Sequence, residues 1–215
     1  PHAVFDVLSR SRSGYGHYLP DIARIIRTGF SAVEAEAEAQ LAALSPEDPR
    51  FEERRNFYEA AKIICPATGR FAARYAALAD SLAAQASDPR RAAELRLIAG
   101  ACLQVPYRPA RNFHEALQAY WFTLLIDYIF QNGSAISCGR FDQFLYPYYR
   151  ADLDSGVLTR DEAQEFVEAL WVKHNDIIKA CTYNSARNNG GFSTSAHLTV
   201  GGMTPEGSDA CNDLT

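Results

Sequence analysis

The feature that most constrains the fold is a predicted helix over residues 112–130, because apolar side chains cover most of its circumference. These side chains are Phe113, Leu117, Tyr120, Trp121, Leu124, Leu125, Tyr128 and Ile129. A helix that is apolar nearly all round is buried on most sides by other elements. The longest apolar stretch within it is interrupted by Thr123 and Asp127 and is too short to span a bilayer. The segment therefore predicts the buried helix of a larger structure.

Helical patterns also precede and follow this segment. Apolar residues recur at helical spacing over 21–44, 51–64, 67–86, 88–104 and 159–178. Asp88 before Pro89, and Thr159 three residues before Glu162, are typical of helix N-termini. A loop rich in Gly, Ser and Asn then precedes a short strand at 198–200. These patterns predict a mainly α-helical chain with a little β-structure.

The helix predicted over 67–86 is marked by its large apolar residues. Phe71, Tyr75, Leu78 and Leu82 follow each other at intervals of four, three and four, which places them on one face of a helix. Helical stripes of this kind are expected to leave apolar surface uncovered in the isolated chain, and to make it prone to association.

Charge and cysteine content narrow the function classes. The 215 residues include 21 Lys and Arg against 26 Asp and Glu, which gives a formal net charge of -5 without a basic block. This composition argues against a nucleic-acid partner and against a membrane anchor. Five cysteines without a Cys-x-x-Cys motif match neither a disulfide framework nor a zinc site. The sequence therefore predicts a cytoplasmic protein with reduced thiols and no metal.

Single histidines are the remaining candidates for chemistry. His114 and His174 fall inside predicted helices, where packed or surface histidines are common. His17 lies in a glycine-rich loop beside Tyr18, a position from which a side chain can point into a cleft. His197 lies at the start of the predicted strand, and the residues alone leave its role open.

Five segments carry a resemblance to one family, in the order in which that family has them. They are GHYLPDIARIIRTGF (16–30), RRNFYEAAKII (54–64), FHEALQAYWF (113–122), GRFDQFLYPYYRADLDSGVLTRDEA (139–163) and LTVGGMTPEGSDACNDLT (198–215). Together they resemble the glycyl radical enzymes related to pyruvate formate-lyase. The resemblance is closest to the branch that acts on diols, choline, hydroxyproline, sulfonates and arylacetates.

This resemblance implies part of an α/β barrel of ten strands in two antiparallel halves, wrapped by helices. In that family a radical S-adenosylmethionine activase forms a glycyl radical. The radical is passed to a cysteine, which takes a hydrogen atom from the substrate. The resemblance therefore implies a lyase or dehydratase of anaerobic metabolism, with a small-molecule substrate, an activase as partner and a homodimeric assembly.

Two motifs of the family are absent from this sequence. No cysteine is followed two residues later by glutamate, so the Gly-Cys-x-Glu motif of the thiyl cysteine is missing. The Arg-Val-x-Gly-Tyr motif of the glycyl radical is missing as well. We therefore expect residues 1–215 to be part of a single pyruvate formate-lyase-type domain, truncated at both ends and inactive by itself.

Position by position, the resemblance implies a substrate pocket but no catalytic residue in this chain. His17 matches a position that meets substrate in diol-dehydrating relatives, and Ser9 matches a pocket position that varies with substrate. Ser134 and Ala135 stand where diol dehydratases have a His-Ser pair, which puts that subclass in question. Phe192 matches an aromatic residue of the pocket wall. We expect the loops around His17, Ser134 and Phe192 to converge on one cavity.

Structural roles are the alternatives to these assignments. Phe192 is also consistent with core packing, and Ser134 with a turn. Arg140 and Asp142 are expected to hold the fold together as a buried ion pair. For the whole chain the alternative is a non-catalytic all-α scaffold or interaction module, which does not account for the glycine-rich loops.

Overall fold

The computed structural model of the chain describes residues 17–131, 135–177 and 196–215, together with Tyr183 and Arg187. The elements in these ranges are the helices α1 (Ile22–Ala42), α2 (Phe51–Gln85), α3 (Pro89–Gln104), α4 (Phe113–Gln131), α5 (Phe141–Asp154) and α6 (Arg160–His174), and the strands β1 (Ser137–Arg140) and β2 (His197–Thr199). The prediction of a mainly helical chain with a little β-structure is confirmed. Within these ranges no helix is long and apolar enough to cross a membrane.

The chain divides into two compact units. The helical unit, Ala23–Phe122, contains α2 and α3, nearly all of α1 and the first half of α4. The strand unit contains the described residues before Ala23 and after Phe122, including both strands, α5 and α6. That residues 1–215 belong to a single domain stays a prediction.

Most of the buried side chains of α2 and α3 in the helical unit are small. The buried side chains of α2 are Cys65, Thr68, Ala72, Ala76, Ala79 and Ala83. Those of α3 are Ala92, Leu95, Ala99, Ala101 and Cys102. Three of the α2 alanines form one cluster with Ala99, Cys102 and the ring of Phe122. Because helix–helix distance depends on the side chains at the contact, this composition lets the two helices approach closely.

Several of the larger apolar side chains of α2 are exposed. Tyr75, Leu78 and Leu82 are 42, 56 and 45% exposed, and Phe57 and Ile63 are exposed still more. The expectation of uncovered apolar surface is therefore confirmed for α2. Of the residues that mark this helix in the sequence, Phe71 packs against the cluster between α2 and α3, and both Phe71 and Tyr75 contact the ring of Phe122.

The predicted break between 51–64 and 67–86 is wrong, since α2 is one helix of 35 residues with Pro66 inside it. A proline within a helix removes one backbone hydrogen bond. The buried face nevertheless continues through this position, because Cys65 and Thr68 are both buried. The Thr68 hydroxyl donates to the Cys65 carbonyl at 2.7 Å. Packing on both sides of Pro66 outweighs the lost bond.

Helix α1 departs from helical geometry at Gly29, where φ is 71° and ψ is 167°, although the sequence predicts an unbroken helix. The N–H groups of Phe30 and Ser31 donate to the carbonyls of Pro106 and Tyr107 at 3.0 and 2.8 Å. A Cβ at Gly29 would lie 2.3 Å from the Tyr107 carbonyl oxygen. Only glycine fits such a close approach of two backbones at this φ.

Helix α4 is buried over most of its length, as its composition predicts. Phe113, Tyr120 and Leu124 are fully buried. Ile129 and Phe130, near its C-terminal end, are exposed. The prediction of a largely buried helix is therefore confirmed, apart from this end.

Strands β1 and β2 are parallel neighbours, with Ser137 opposite His197 and Arg140 opposite Thr199. The strand predicted at 198–200 corresponds to β2, shifted by one residue. The sequence patterns predict neither β1 nor α5. Both carry residues that are unusual in such elements, since β1 contains Gly139 and α5 contains a proline.

Candidate functional site

The backbone of His17 is fixed against Ala135 in the strand unit. The His17 N–H donates to the Ala135 carbonyl at 3.1 Å. Both residues have positive φ, 60° for His17 and 56° for Ala135, a conformation that residues with a Cβ adopt rarely. Strained backbone of this kind is concentrated at functional sites. The side chain of His17 is exposed, so a fixed backbone presents an accessible imidazole.

The peptide group between Ile136 and Ser137 binds the segment that carries His17 and the segment that carries His197. Its N–H donates to the Tyr18 carbonyl at 2.9 Å, and its carbonyl accepts the N–H of His197 at 3.3 Å. The N–H and the carbonyl of a trans peptide point in opposite directions. The segments that carry His17 and His197 therefore lie on opposite sides of this peptide.

The side chain of Tyr18 adds a further attachment. Its hydroxyl donates to Oδ1 of Asp127, on α4, at 2.5 Å, and both residues are half-buried. Burial, the hydrogen bond to Asp127 and the negative charge of Asp127 all raise the pKa of Tyr18 above its usual value. The phenol therefore stays protonated, and remains a hydrogen-bond donor, throughout the physiological pH range.

Arg140 and Asp142 hold the turn that follows β2. The Arg140 guanidinium donates to the carbonyls of Gly201 and Met203 at 2.6 and 2.9 Å. Oδ2 of Asp142 accepts the Gly201 N–H at 2.7 Å and the Thr215 hydroxyl at 2.6 Å. The expected ion pair between Arg140 and Asp142 is wrong, because each side chain binds the turn instead of the other. An irregular turn has backbone N–H and carbonyl groups that no regular secondary structure binds. Arg140 and Asp142 act as the hydrogen-bond partners of these groups.

Asp142 is fully buried yet remains the acceptor for this turn. Burial raises the pKa of its carboxyl group, but the hydrogen bonds from Thr215, Gly201 and Gln143 lower it by more. The net result is a pKa below the usual value of 3.8. The ionised carboxylate is therefore the form that the folded chain favours.

Among the residues expected to form the substrate pocket, His17 lies in the described part of the chain. Ser9, Ser134 and Phe192 lie outside the described residues. Their convergence with His17 on one cavity stays a prediction. Ala135, which follows Ser134 in the sequence, is the residue to which the His17 backbone is bound.

The other described histidines differ from His17. His174 packs against Trp171, with ring centroids 5.5 Å apart, and burial lowers its pKa. Burial also lowers the pKa of His114, although the nearby Glu115 opposes this. Both are half-buried helical residues, as the sequence indicates. His197 is exposed at the start of β2.

The described cysteines are free thiols, and three of them have raised pKa values. Cys65, Cys102 and Cys138 are buried, and Cys211 is exposed. Burial raises the pKa of Cys65, and that of Cys102 to about 11. A hydrogen bond with Asp209 raises the pKa of Cys211. Raised pKa values disfavour the reactive thiolate. In the ranges that the structure describes, no group of three or more His, Cys, Asp or Glu residues is placed to hold a metal ion.

Sequence reasoning missed the bond between Tyr18 and Asp127. The available signal is an aspartate inside the most apolar helix of the chain, since a carboxylate in such surroundings needs a hydrogen-bond partner. The partner itself is not visible in the sequence, because the two residues are 109 positions apart.

The sequence model of the family described as pyruvate formate lyase-like matches residues 2–215. The isethionate sulfite-lyase of Nitratidesulfovibrio vulgaris is 41% identical over 203 residues, which cover 92% of this chain and 24% of that protein. The chain thus spans about a quarter of the length of the curated relatives that it matches.

Solved structures agree with this match. A structure from work on 1,2-propanediol dehydration in Roseburia inulinivorans superposes with a TM-score of 0.91 at 38% identity, and covers 94% of this chain and 25% of that one. A glycyl radical enzyme from Archaeoglobus fulgidus superposes with a TM-score of 0.86 at 33% identity, and covers 94% and 26%. The described helices and strands are therefore a portion of this fold, as predicted. Since the likeness extends over nearly all of its residues in both sequence and structure, the chain belongs to the pyruvate formate lyase-like family of glycyl radical enzymes.

Proposed function

We propose that the chain is part of an enzyme that catalyses radical elimination, or cleavage of a carbon–heteroatom or carbon–carbon bond, in a small polar substrate. Diols, choline, hydroxyproline, sulfonates and arylacetates are the candidate substrate types. The similar proteins support the sulfonate and diol types, since they include a sulfite-lyase named for isethionate and a structure from work on 1,2-propanediol dehydration. Membership of an enzyme family favours this function over a non-catalytic all-α scaffold.

The observation that carries the proposal is the anchored and exposed His17. Its backbone is bound to Ala135, and Tyr18 beside it is bound to Ser137 and Asp127, while the imidazole itself stays accessible. Substrate-positioning groups need this combination, because small displacements of a bound substrate cost much of the rate. An imidazole can donate and accept hydrogen bonds, so His17 is assigned to a hydroxyl or another polar group of the substrate.

Three further residues complete the proposed pocket. Ser9 is assigned to the variable position that distinguishes substrates, and Ser134 to a second polar contact. Phe192 is assigned to the apolar wall. These assignments follow the family resemblance and are proposals for substrate binding alone.

In this proposal the chain supplies pocket and scaffold, and the radical resides elsewhere in a longer protein. The raised pKa values of Cys65, Cys102 and Cys211 support this division, because none of these thiols is activated. A glycyl radical, installed by a radical S-adenosylmethionine activase and relayed through a cysteine, supplies hydrogen-atom abstraction without a metal. The full-length protein is proposed to be a homodimer in the cytoplasm.

Anaerobic activation tests this division. The full-length protein and the 215-residue chain are each incubated with activase, S-adenosylmethionine and reductant, and organic radicals are detected by electron paramagnetic resonance. We expect a glycyl doublet from the full-length protein and none from the 215-residue chain. A stable doublet from the 215-residue chain would show that the radical resides within these residues.

The role of His17 is tested in the activated full-length protein. The probe substrates are isethionate, 1,2-propanediol, choline, trans-4-hydroxyproline and indoleacetate. We expect His17→Ala to leave the doublet unchanged and to lower kcat/KM for the probe that is turned over. His197→Ala, which removes an exposed imidazole on the other side of the Ile136–Ser137 peptide, is the matched control and should leave kcat/KM unchanged. Unchanged kinetics for His17→Ala would contradict the assignment.

A further inference from the structure

We propose that Tyr18 and Asp127 are positioning residues, whose hydrogen bond fixes the direction in which His17 presents its imidazole to the substrate. The proposal rests on the proposed function, because it assigns a role to His17. It concerns two residues that bind no substrate themselves and act through their neighbour.

The arrangement of the attachments supports this role. Two backbone bonds, from His17 to Ala135 and from Ser137 to Tyr18, attach the segment along one edge of the strand region. Bonds along a single edge set the distance of the segment from its neighbour but leave rotation about that edge. The Tyr18 hydroxyl binds Asp127 on α4, which is a different element. This attachment, away from the edge, opposes the rotation.

The backbone on which the Tyr18–Asp127 hydrogen bond acts is strained. The positive φ values of His17 and Ala135 are unfavourable for residues with a Cβ. Such a conformation persists only where the surroundings determine it. A short hydrogen bond to a carboxylate is among the stronger bonds available to a tyrosine, which suits it to hold this segment.

The surroundings of the bond keep it intact. Asp127 lies in a helix that is otherwise largely buried, and Tyr18 is half-buried over it. The raised pKa of Tyr18 keeps its hydroxyl protonated, so the donor is present at any pH at which the protein works. The donor of the bond that is proposed to set the direction of His17 therefore does not titrate under these conditions.

The test uses the activated full-length protein and the probe substrate that it turns over. Tyr18→Phe and Asp127→Leu both remove the bond, whereas Asp127→Asn keeps an acceptor oxygen. We expect the first two to raise KM about tenfold, with the glycyl doublet unchanged, because a bond to a charged group is lost. Asp127→Asn should restore most of the affinity. Tyr107→Phe, which removes a similar bond to Glu34 of 2.8 Å in the helical unit, should leave KM unchanged.

A double variant separates this proposal from the assignment of His17. If Tyr18 acts through His17, adding Tyr18→Phe to His17→Ala should raise KM no further. An additional rise would overturn the proposal, and so would a normal KM for Tyr18→Phe in a protein that His17→Ala impairs. Should His17→Ala have no effect, the pocket assignment fails, and the positioning role fails with it. If Tyr18→Phe does not fold, the contrast between Asp127→Leu and Asp127→Asn decides: equal KM values for these two would contradict the proposal.

Discussion

The α2–α3 pair and the region around β1 are held together in different ways. Between α2 and α3 the contact is made mainly by small side chains, whereas Leu78 and Leu82 of α2 are exposed. Around β1 the contacts are made by polar side chains that bind backbone atoms, as Arg140 and Asp142 bind the turn at Gly201. The α2–α3 contact depends on close packing, whereas the region around β1 adds these hydrogen bonds to buried apolar side chains such as Ile136 and Leu145.

The difference follows from what each backbone needs. In the interior of a helix the N–H and carbonyl groups bind each other, so there only the side chains have to find partners. A short strand and an irregular turn leave backbone groups that other residues must bind. Substitutions should therefore act differently in the two regions: changes of volume should matter between α2 and α3, and changes of hydrogen-bonding groups should matter around β1.

The largest effect is expected from Asp142→Ala. It removes the acceptor of the Gly201 N–H and the Thr215 hydroxyl, and we expect the turn to lose about 3 kcal/mol of local stability. Hydrogen exchange of the full-length protein should become faster over 200–215 and stay unchanged in α2. Asp154→Ala is the control, because Asp154 is an exposed residue of α5 that pairs with Arg150. Unchanged exchange over 200–215 would show that Asp142 is dispensable.

Ala76→Leu should cost somewhat less, about 2 kcal/mol, because it inserts a larger side chain into a close-packed contact. Exchange should become faster in α2 and α3 and remain as it was over 200–215. Ala77→Leu adds the same volume at an exposed position of the same helix and serves as the control. Equal effects of the two substitutions would mean that the α2–α3 contact is not closely packed.

Acid should weaken the β1 region before it weakens the α2–α3 pair. Since the folded-state pKa of Asp142 lies below 3.8, its stabilising effect is complete at higher pH and is lost as the pH falls through the folded-state value. Exchange over 200–215, corrected for the intrinsic effect of pH, should therefore accelerate below about pH 4. Asp142→Asn has no charge to lose and should show no such dependence. An identical pH profile for both proteins would contradict the prediction.

The smallest effect is expected from Glu36→Ala. Glu36 is an exposed residue of α1 that forms an ion pair with Arg24, itself exposed. Exposed ion pairs contribute little, so the thermal unfolding of the full-length protein should change by no more than about 0.5 kcal/mol. A larger loss of stability would show that charge pairs also stabilise the helical unit, and that the two regions differ less than proposed.

The sequence predicts the helices well where their signals are local. Asp88 accepts the N–H of Arg90 at the start of α3, and Thr159 and Glu162 form a capping box at the start of α6. Pro66 is a misleading local signal. Its tendency to end a helix is overcome by packing that cannot be read from the sequence. The break in helix α1 at Gly29 is not predictable from local sequence either, because the conformation of Gly29 depends on the backbone of a distant loop.

The site is harder to predict because its bonds join residues far apart in the sequence. His17 is identifiable as a candidate from its glycine-rich loop. Its connections to Ala135 and, through Tyr18, to Asp127 are not identifiable from any neighbouring residue. Arg140 and Asp142 are similar, since their proximity in the sequence suggests a pair while their partners lie about 60 residues further on.

The long separation of these partners bears on how the protein folds. Tyr18 and Asp127 close a loop of 109 residues. Contacts of such length form slowly, because the entropy of closing the loop is lost before the contact is gained. During synthesis the His17 segment leaves the ribosome well before α4 and β1 exist. We therefore expect the contacts between the His17 segment, α4 and β1 to be assembled late, after the α2–α3 pair, whose two helices are neighbours in the sequence and can meet as soon as both are made.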